Sequence, residues 1–253
     1  MAAQATTEQV LSLALDIGKG MIRCGAEVNR VEETVMRICS AYGIGDVEVF
    51  SIVSMILATA TGPDGTRDTQ TRRIHAYSTD FDRLDKLNAL SRRVCRDTPP
   101  IGEAQRMLGE IKRDRRSLIW YVGIGYFLVG FSFTLFFGGS WKDAAVSAVI
   151  ALALWLLTSF VHVQGLSKLF FTVLSSAALG FLAIFATRLG LADNASTVMI
   201  GDIMLLIPGL LLINSLREMM CGDLMSGLLR LLECIFLALA IACGFAVPLL
   251  IFK

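Results

Sequence analysis

In GLLRLLEC, Arg230 and Glu233 stand three residues apart, so a helix would place both on one face and let them pair. Just upstream, IPGLLLINSLREMMCGD begins apolar at Ile207, breaks at Pro208-Gly209, then collects Asn214, Arg217, Glu218 and Asp223. An arginine presents a planar fork that matches a carboxylate, and a nearby glutamate can hold that fork in place. Pro208 has no N–H, so it frees a backbone carbonyl, and Gly209 lets another helix come close. A helix broken at membrane depth is tolerated only beside protein or water, and transporters use such breaks to show helix ends to a substrate. A plainer reading stands beside this one: a proline kink that aids packing, and an interfacial ion pair whose arginine reaches toward water. A charge at the bilayer centre costs about 2.5–3.5 kcal/mol, so the pair is expected near an interface unless it has a use.

Asp202 lies inside the preceding apolar run. A carboxylate there could carry a proton or bind a cation. It could also be a helix-end residue, since Ser196 and Thr197 make that end polar. Asn214 and Asp223 could shape a turn, with Gly222 and Gly227 allowing close backbone contact. The candidate substrate-binding set is therefore Pro208, Gly209, Asn214, Arg217, Asp223, Arg230 and Glu233. Asp202 and Glu233 are the candidates for proton or ion coupling.

Other residues give weaker signals. Glu27, Arg30 and Glu33 have helical spacing and read as a solvated charged face. Thr71, Arg73 and His75 alternate, as on an exposed strand face. The six cysteines form no CxxC pair and read as small buried hydrophobes in a reducing compartment. Neither of the two histidines, His75 and His162, has a partner at ligand spacing. No metal site, cofactor or catalytic residue is expected, and without an ATP-binding motif any transport would run on a gradient. A net charge of +1 argues against nucleic acid as a main partner.

The elements that must position these groups fall into two parts. Hydrophobic residues make up 55% of the chain and its mean hydropathy is +0.64, too high for an ordinary soluble enzyme. Residues 1–116 hold most of the charge and are expected to form an α+β domain. Apolar stripes predict helices over Thr7–Arg23, ended by Gly25, and over Glu27–Tyr42, ended by Gly43. Residues Asp46–Thr61 read as two short strands, TGPDGTRD as a turn and Thr69–Tyr77 as a third strand. Helices follow from Asp80 and over Ile101–Arg115, separated by Pro99-Pro100.

Residues 117–253 are expected to be a five-helix transmembrane domain. The spans are Ser117–Phe137, Ala144–Val161, Leu169–Thr187, Ala195–Ile213 and Leu228–Phe252, each near the ~20 residues that a bilayer needs. Lys112, Arg113, Arg115, Arg116, Lys168, Arg217 and Arg230 fall on one side; Lys142, Arg188 and Lys253 fall on the other. The richer side is read as cytoplasmic. That puts the N-terminus inside, where MAAQATTEQV also reads as no signal peptide, and the C-terminus outside. Trp120 and Trp141 fall near span ends as interfacial residues should, while Trp155 falls mid-span.

LDIGKGMIRCGAEVNRVEETVMRICSAYG and PGLLLINSLREMMCGDLMSGLLRLLE resemble the opening and the signature stretch of the threonine/serine exporter family. The order of a soluble domain followed by five spans matches as well. The resemblance implies a bacterial inner-membrane exporter. At this length it resembles the longer chain of the family's two-component form, as in the two-component succinate exporter. It implies a short, membrane-only companion subunit and substrates such as threonine, serine or a dicarboxylate like succinate. A related five-span partner inserted in the opposite sense would complete an inverted repeat.

The expected function is a subunit of a heteromeric exporter of small carboxylate metabolites or amino acids in the lipid bilayer. Arg230 and Arg217 would attract the carboxylate, and the soluble domain would gate access or dock the companion. Two rivals stand: a membrane-anchored enzyme using Arg73 and His75, and a sensory or partner-binding membrane protein that moves nothing.

Overall fold

The structure is a computed structural model that describes residues 5–75, 78–114, 119–160 and 167–252. Among them, helices dominate, joined by one three-stranded sheet. The chain divides into two compact units: Met1–Arg115 with Ile213–Leu231, and Arg116–Leu212 with Leu232–Lys253.

The first unit is built around α1 (Thr7–Arg23), which starts with a reciprocal capping box between Thr6 and Gln9. Its large aliphatic residues Leu11, Leu13, Leu15, Ile17 and Ile22 are all buried, so this helix is the centre of a core. Helix α2 (Val28–Ala41) adds Val31, Val35 and Ile38 to that core. Gly25 and Gly43, at φ +94° and +84°, end these helices in a left-handed turn, as the sequence suggests. Strands β1 (Asp46–Ile52), β2 (Met55–Thr61) and β3 (Arg67–Arg73) form an antiparallel sheet in the order β1-β2-β3. Ile56, Ala58 and Ala60 alternate along β2 and give the sheet its buried face. From β3, Arg72 reaches α1: its Nε donates to Asp16 at 2.7 Å and its Nη2 to the Ser12 hydroxyl at 2.8 Å.

The third strand ends at Arg73, so His75 lies beyond it, exposed. The expected strand end at Tyr77 lies outside the described residues. Helices α3 (Phe81–Asp97) and α4 (Ile101–Arg113) close the core with Leu87, Leu90, Val94, Ala104 and Leu108. Asp80 caps α3 by accepting from the Arg83 N–H. Cys24 and Cys39 are buried here as small hydrophobes, and burial pushes the Cys39 thiol up to about 12.

The second unit contains α5 (Ile119–Phe136), α6 (Trp141–Phe160), α7 (Lys168–Arg188) and α8 (Ala195–Ile203). It also holds the start of α9 (Gly209–Met220) and the greater part of α10 (Leu224–Ile251). Its buried positions include small and polar residues: Ala144, Ala148, Ala151, Ser147, Ser176 and Thr134. Phenylalanines and leucines such as Phe136, Phe185, Leu174 and Leu250 face outward. Small interior residues let helices approach closely, and a large apolar exterior suits lipid. Trp155, expected mid-span, is buried, with Trp120 at 6.0 Å between ring centroids and the Gly123 backbone against its ring.

Three helical segments among the described residues are long and apolar enough to cross a bilayer: Trp141–Ser159, Lys168–Arg188 and Leu224–Ile251. The expected first span corresponds to a shorter apolar helix, Trp120–Phe136. The expected fourth span, Ala195–Ile213, is not one helix. It is divided into α8 and α9, of 9 and 12 residues, by a turn over residues 204–208. At ~1.5 Å rise per residue neither half reaches the ~30 Å of a bilayer core.

Candidate functional site

Asp202 comes from the last turn of α8, whose start is capped by the Asn194 side chain accepting from the Ser196 N–H at 2.9 Å. Its residue is fully buried. The Ser147 hydroxyl on α6 donates to its Oδ1 at 2.7 Å, and the Gly130 carbonyl on α5 is a second acceptor for that hydroxyl at 3.1 Å. Thr134 also donates to Gly130 O, at 2.8 Å. The other carboxyl oxygen, Oδ2, has no hydrogen-bond partner among the described residues. Three helices meet tightly at this layer. A Cβ on Gly201 would land on the Thr134 side chain, and one on Gly130 would sit 2.9 Å from Ala151 Cβ.

The break follows at once. Leu205 N–H donates to Asp202 O and Leu206 N–H to Ile203 O, a tightening turn that ends the helix. Pro208 has no N–H to offer the Met204 carbonyl. The Pro208 carbonyl accepts the Leu212 N–H at 3.0 Å, and the Cys234 thiol lies 3.8 Å away. Gly209 does not provide the expected close approach: a Cβ there would meet nothing within 4 Å. Its use is at the restart of the helix. Gly227 does make the expected close contact, since a Cβ would lie 2.7 Å from the Ser215 carbonyl, but Gly222 serves only by its φ of +99°.

The expected Arg230–Glu233 pair does not form. Glu233 instead accepts from Lys168 at 2.9 Å, in the second unit. Arg230 belongs to the first unit and pairs with Glu218 on α9 at 3.0 Å, with the two side chains only 2% and 1% exposed. Its Nη2 also donates to the Ala26 carbonyl at 3.1 Å. Glu218 Oε1 accepts the Val28 N–H at 3.3 Å, so one carboxylate serves both a guanidinium and the open N-terminus of α2. Beside them Arg217 donates to Glu27 at 2.7 Å. The physical reason is direction: three residues apart, Arg230 and Glu233 share a helix face, but a tertiary carboxylate in better reach wins the arginine.

Glu27, read from sequence as part of a solvated face, is thus an ion-pair partner of Arg217. Glu33 does keep a surface pair, with Arg37. Asn214 is half-buried on α9, and Asp223 stands immediately before α10, where its carbonyl accepts the Gly227 N–H at 2.9 Å.

The anchoring roles of two polar residues were not read from the sequence. Glu218 lies twelve residues from Arg230, a separation with no local meaning. Asp143 is buried at the start of α6 and accepts from the backbone of Ser140, Asp193 and Asn194 and from the Thr197 hydroxyl. It ties the turn before α6 to the loop before α8. A signal for it existed: Ser140-Trp-Lys-Asp143 before an apolar run has the spacing of a capping box.

Apolar helices with a large apolar exterior, packed through small residues around a buried carboxylate, are the features of a helical membrane protein. The chain belongs to the threonine/serine exporter family, whose model, ThrE, matches residues 12–252. A probable threonine/serine exporter of Mycobacterium tuberculosis is 24% identical over 96% of this chain and 46% of its own length. A threonine/serine exporter of Corynebacterium glutamicum is 24% identical over 93% of this chain and 50% of its own. Pheromone-regulated membrane protein 10 of Pichia sorbitophila is 22% identical over 90% of this chain and 23% of its own. The chain thus spans about half the length, or less, of these curated relatives. No solved structure matches it.

Proposed function

We propose that the chain is one subunit of a secondary exporter of threonine, serine or a small dicarboxylate such as succinate. The observation that carries this reading is Asp202, a buried carboxylate beside a broken helix with one oxygen left unpartnered among the described residues. A purely structural carboxylate is expected to have both oxygens satisfied. Here the Ser147 hydroxyl stands between two acceptors, Asp202 Oδ1 and Gly130 O. When Asp202 is ionised, Ser147 donates to it. When Asp202 is protonated, its own O–H can donate to Ser147, which then donates to Gly130. The site can hold either protonation state with its hydrogen bonds intact, which is what a proton-coupled step requires.

In this reading the chain crosses the bacterial inner membrane five times, through α5, α6, α7, the broken α8–α9 pair and α10. Residues 1–116 lie in the cytoplasm and 117–253 form the membrane domain, with the C-terminus outside. A short membrane-only companion of the same family completes the pathway. Within the second unit Pro208-Gly209 breaks the helix just after Asp202; within the first, Arg217, the exposed member of its pair with Glu27, is the candidate for a substrate carboxylate. Asn214 and Asp223 on the first unit and Glu233 on the second are further candidates for substrate contact. Arg230, whose guanidinium is already shared between Glu218 and Ala26 O, holds the α9–α10 turn in place rather than binding cargo.

The test is efflux of labelled threonine, serine and succinate from cells making the wild-type chain or Asp202→Asn at matched protein level. Efflux is expected to fall at least about tenfold, the effect of removing one positioned proton-transfer group, and to lose its pH dependence. An Asp202→Asn protein that exports one of these substrates as fast as wild type, with the same pH profile, would falsify the reading.

A further inference from the structure

The first unit carries a cleft of about 320 Å3 where α1, α3 and α4 meet. Four cations line it: Lys19 and Arg23 from α1, Arg83 from α3 and Lys112 from α4. The one carboxylate in the lining is Asp16, and it is already engaged by Arg72 at 2.7 Å. We propose that this cleft is a binding site for a small multivalent oxyanion, bearing carboxylate or phosphate groups.

Several cations elsewhere on this unit are paired. Arg37 has Glu33, Lys86 has Asp82 and Asp114, and Arg96 has Asp97. In the cleft Arg83 has Asp80 and the other three are unpaired among the described residues. Among the described residues the side chains of Lys19, Arg23 and Lys112 make no hydrogen bond or ion pair, and the nearby carboxylates are committed elsewhere. Lys19 and Arg23 are four apart on one helix, a like-charge spacing that weakens α1 unless something offsets it. Helix dipoles favour a cation at the end of α1 or of α4 taken singly. They do not account for cations gathered from three helices around a cavity.

Arg83 is preset for an anion. Its Nη2 donates to the Asp114 carbonyl at 3.1 Å, and Asp80 sits 3.7 Å from its Nε, so the fork is held before any ligand arrives. Leu87 and Ile111 give the cleft an apolar wall. Burial pushes the Cys24 thiol up, so this wall adds no negative charge of its own. With Asp16 held by Arg72 and Arg83 paired to Asp80, the unpaired Lys19, Arg23 and Lys112 leave a formal +3 to be met by the ligand. The volume is at the small end of ligand pockets, which suits a di- or tricarboxylate or a small phosphate rather than a nucleotide.

The site is independent of the export reading, because binding is read without flux. The full-length protein in detergent is titrated calorimetrically with citrate, succinate and inorganic phosphate at low ionic strength. At least one probe is expected to bind one site and to weaken as salt is raised. A carboxylate response without a phosphate response assigns the ligand as a carboxylate, and the reverse as a phosphate. Lys19→Gln with Arg23→Gln, or Lys112→Gln alone, is expected to weaken binding at least about tenfold. Arg37→Gln, on the same unit away from the cleft, is expected to leave it unchanged. The single Lys112→Gln change is at an exposed position, so it remains informative if the double variant loses helix content. No saturable heat from any probe up to about 10 mM, a Kd range weaker than ordinary metabolite binding, overturns the proposal. So does an equal loss in Arg37→Gln and Lys112→Gln.

Discussion

Glu218 in the first unit and Asp202 in the second are both buried carboxylates, and they are treated in opposite ways. In the first, Glu218 meets Arg230 on one side and the Val28 N–H on the other, inside a unit whose core is large aliphatic side chains. In the second, Asp202 has one hydroxyl from Ser147 and an unpartnered oxygen, in a unit whose interior is rich in alanine, serine and threonine. The contrast in packing is the one expected between a unit folded in water and one folded in lipid. A unit in water is held by apolar area taken out of solvent, so its largest side chains go inside. Apolar surface gains little by leaving lipid, so helices there adhere through close contact of small residues and internal hydrogen bonds. The contrast between the carboxylates is one of partners. Glu218 is matched as a structural ion pair is, and Asp202 is not.

That difference can be tested by stability, starting with the largest effect. Glu218→Ala leaves the Arg230 guanidinium buried without its counter-ion and is expected to cost about 3–5 kcal/mol. Loss of the folded first unit is read by denaturant unfolding or limited proteolysis. Replacing both Glu218 and Arg230 with methionine is expected to recover most of that loss; a double change as damaging as Glu218→Ala would mean the pair does more than satisfy itself. Leu11→Ala, at the centre of α1, is expected to cost about 2–5 kcal/mol by the same assay, as a cavity in an aliphatic core does.

Gly201→Val puts a branched side chain where α8 meets Thr134, and overpacking there is expected to cost about 1–3 kcal/mol, read as a lower Tm in detergent. The smallest expected change in stability is for Asp202→Asn. The amide keeps the shape and can still accept from Ser147, so Tm is expected to stay within about 1 kcal/mol equivalent of wild type while export is lost. Should Asp202→Asn unfold the protein as readily as Glu218→Ala, the two carboxylates would be alike and the functional reading of Asp202 would go.

Local structure was largely legible in the chain. The limits of α1, the strands β1 and β2, the cap at Asp80 and the long apolar helices follow from periodicity, capping residues and composition, which act over a few neighbouring residues. Asp202 was legible too, because a carboxylate in an apolar run stands out whatever surrounds it. The partner of Arg230 was not. Helical spacing pointed to Glu233, and the fold supplied Glu218 instead, with Glu233 going to Lys168. The division of Ala195–Ile213 was visible only as a proline; its five-residue extent over 204–208 was not.

Composition and pattern decided that there would be helices fit for lipid, a small α+β part and ionisable groups in unusual places. They could do so because solvation and backbone preference are properties of each residue and its near neighbours. The fold alone decided which charges meet. Residues Ile213–Leu231 pack with the first unit although the sequence surrounds them with apolar helices. The pairing of a buried charge depends on which chain segments are brought within 3–4 Å, and that distance is set by the packing of whole helices.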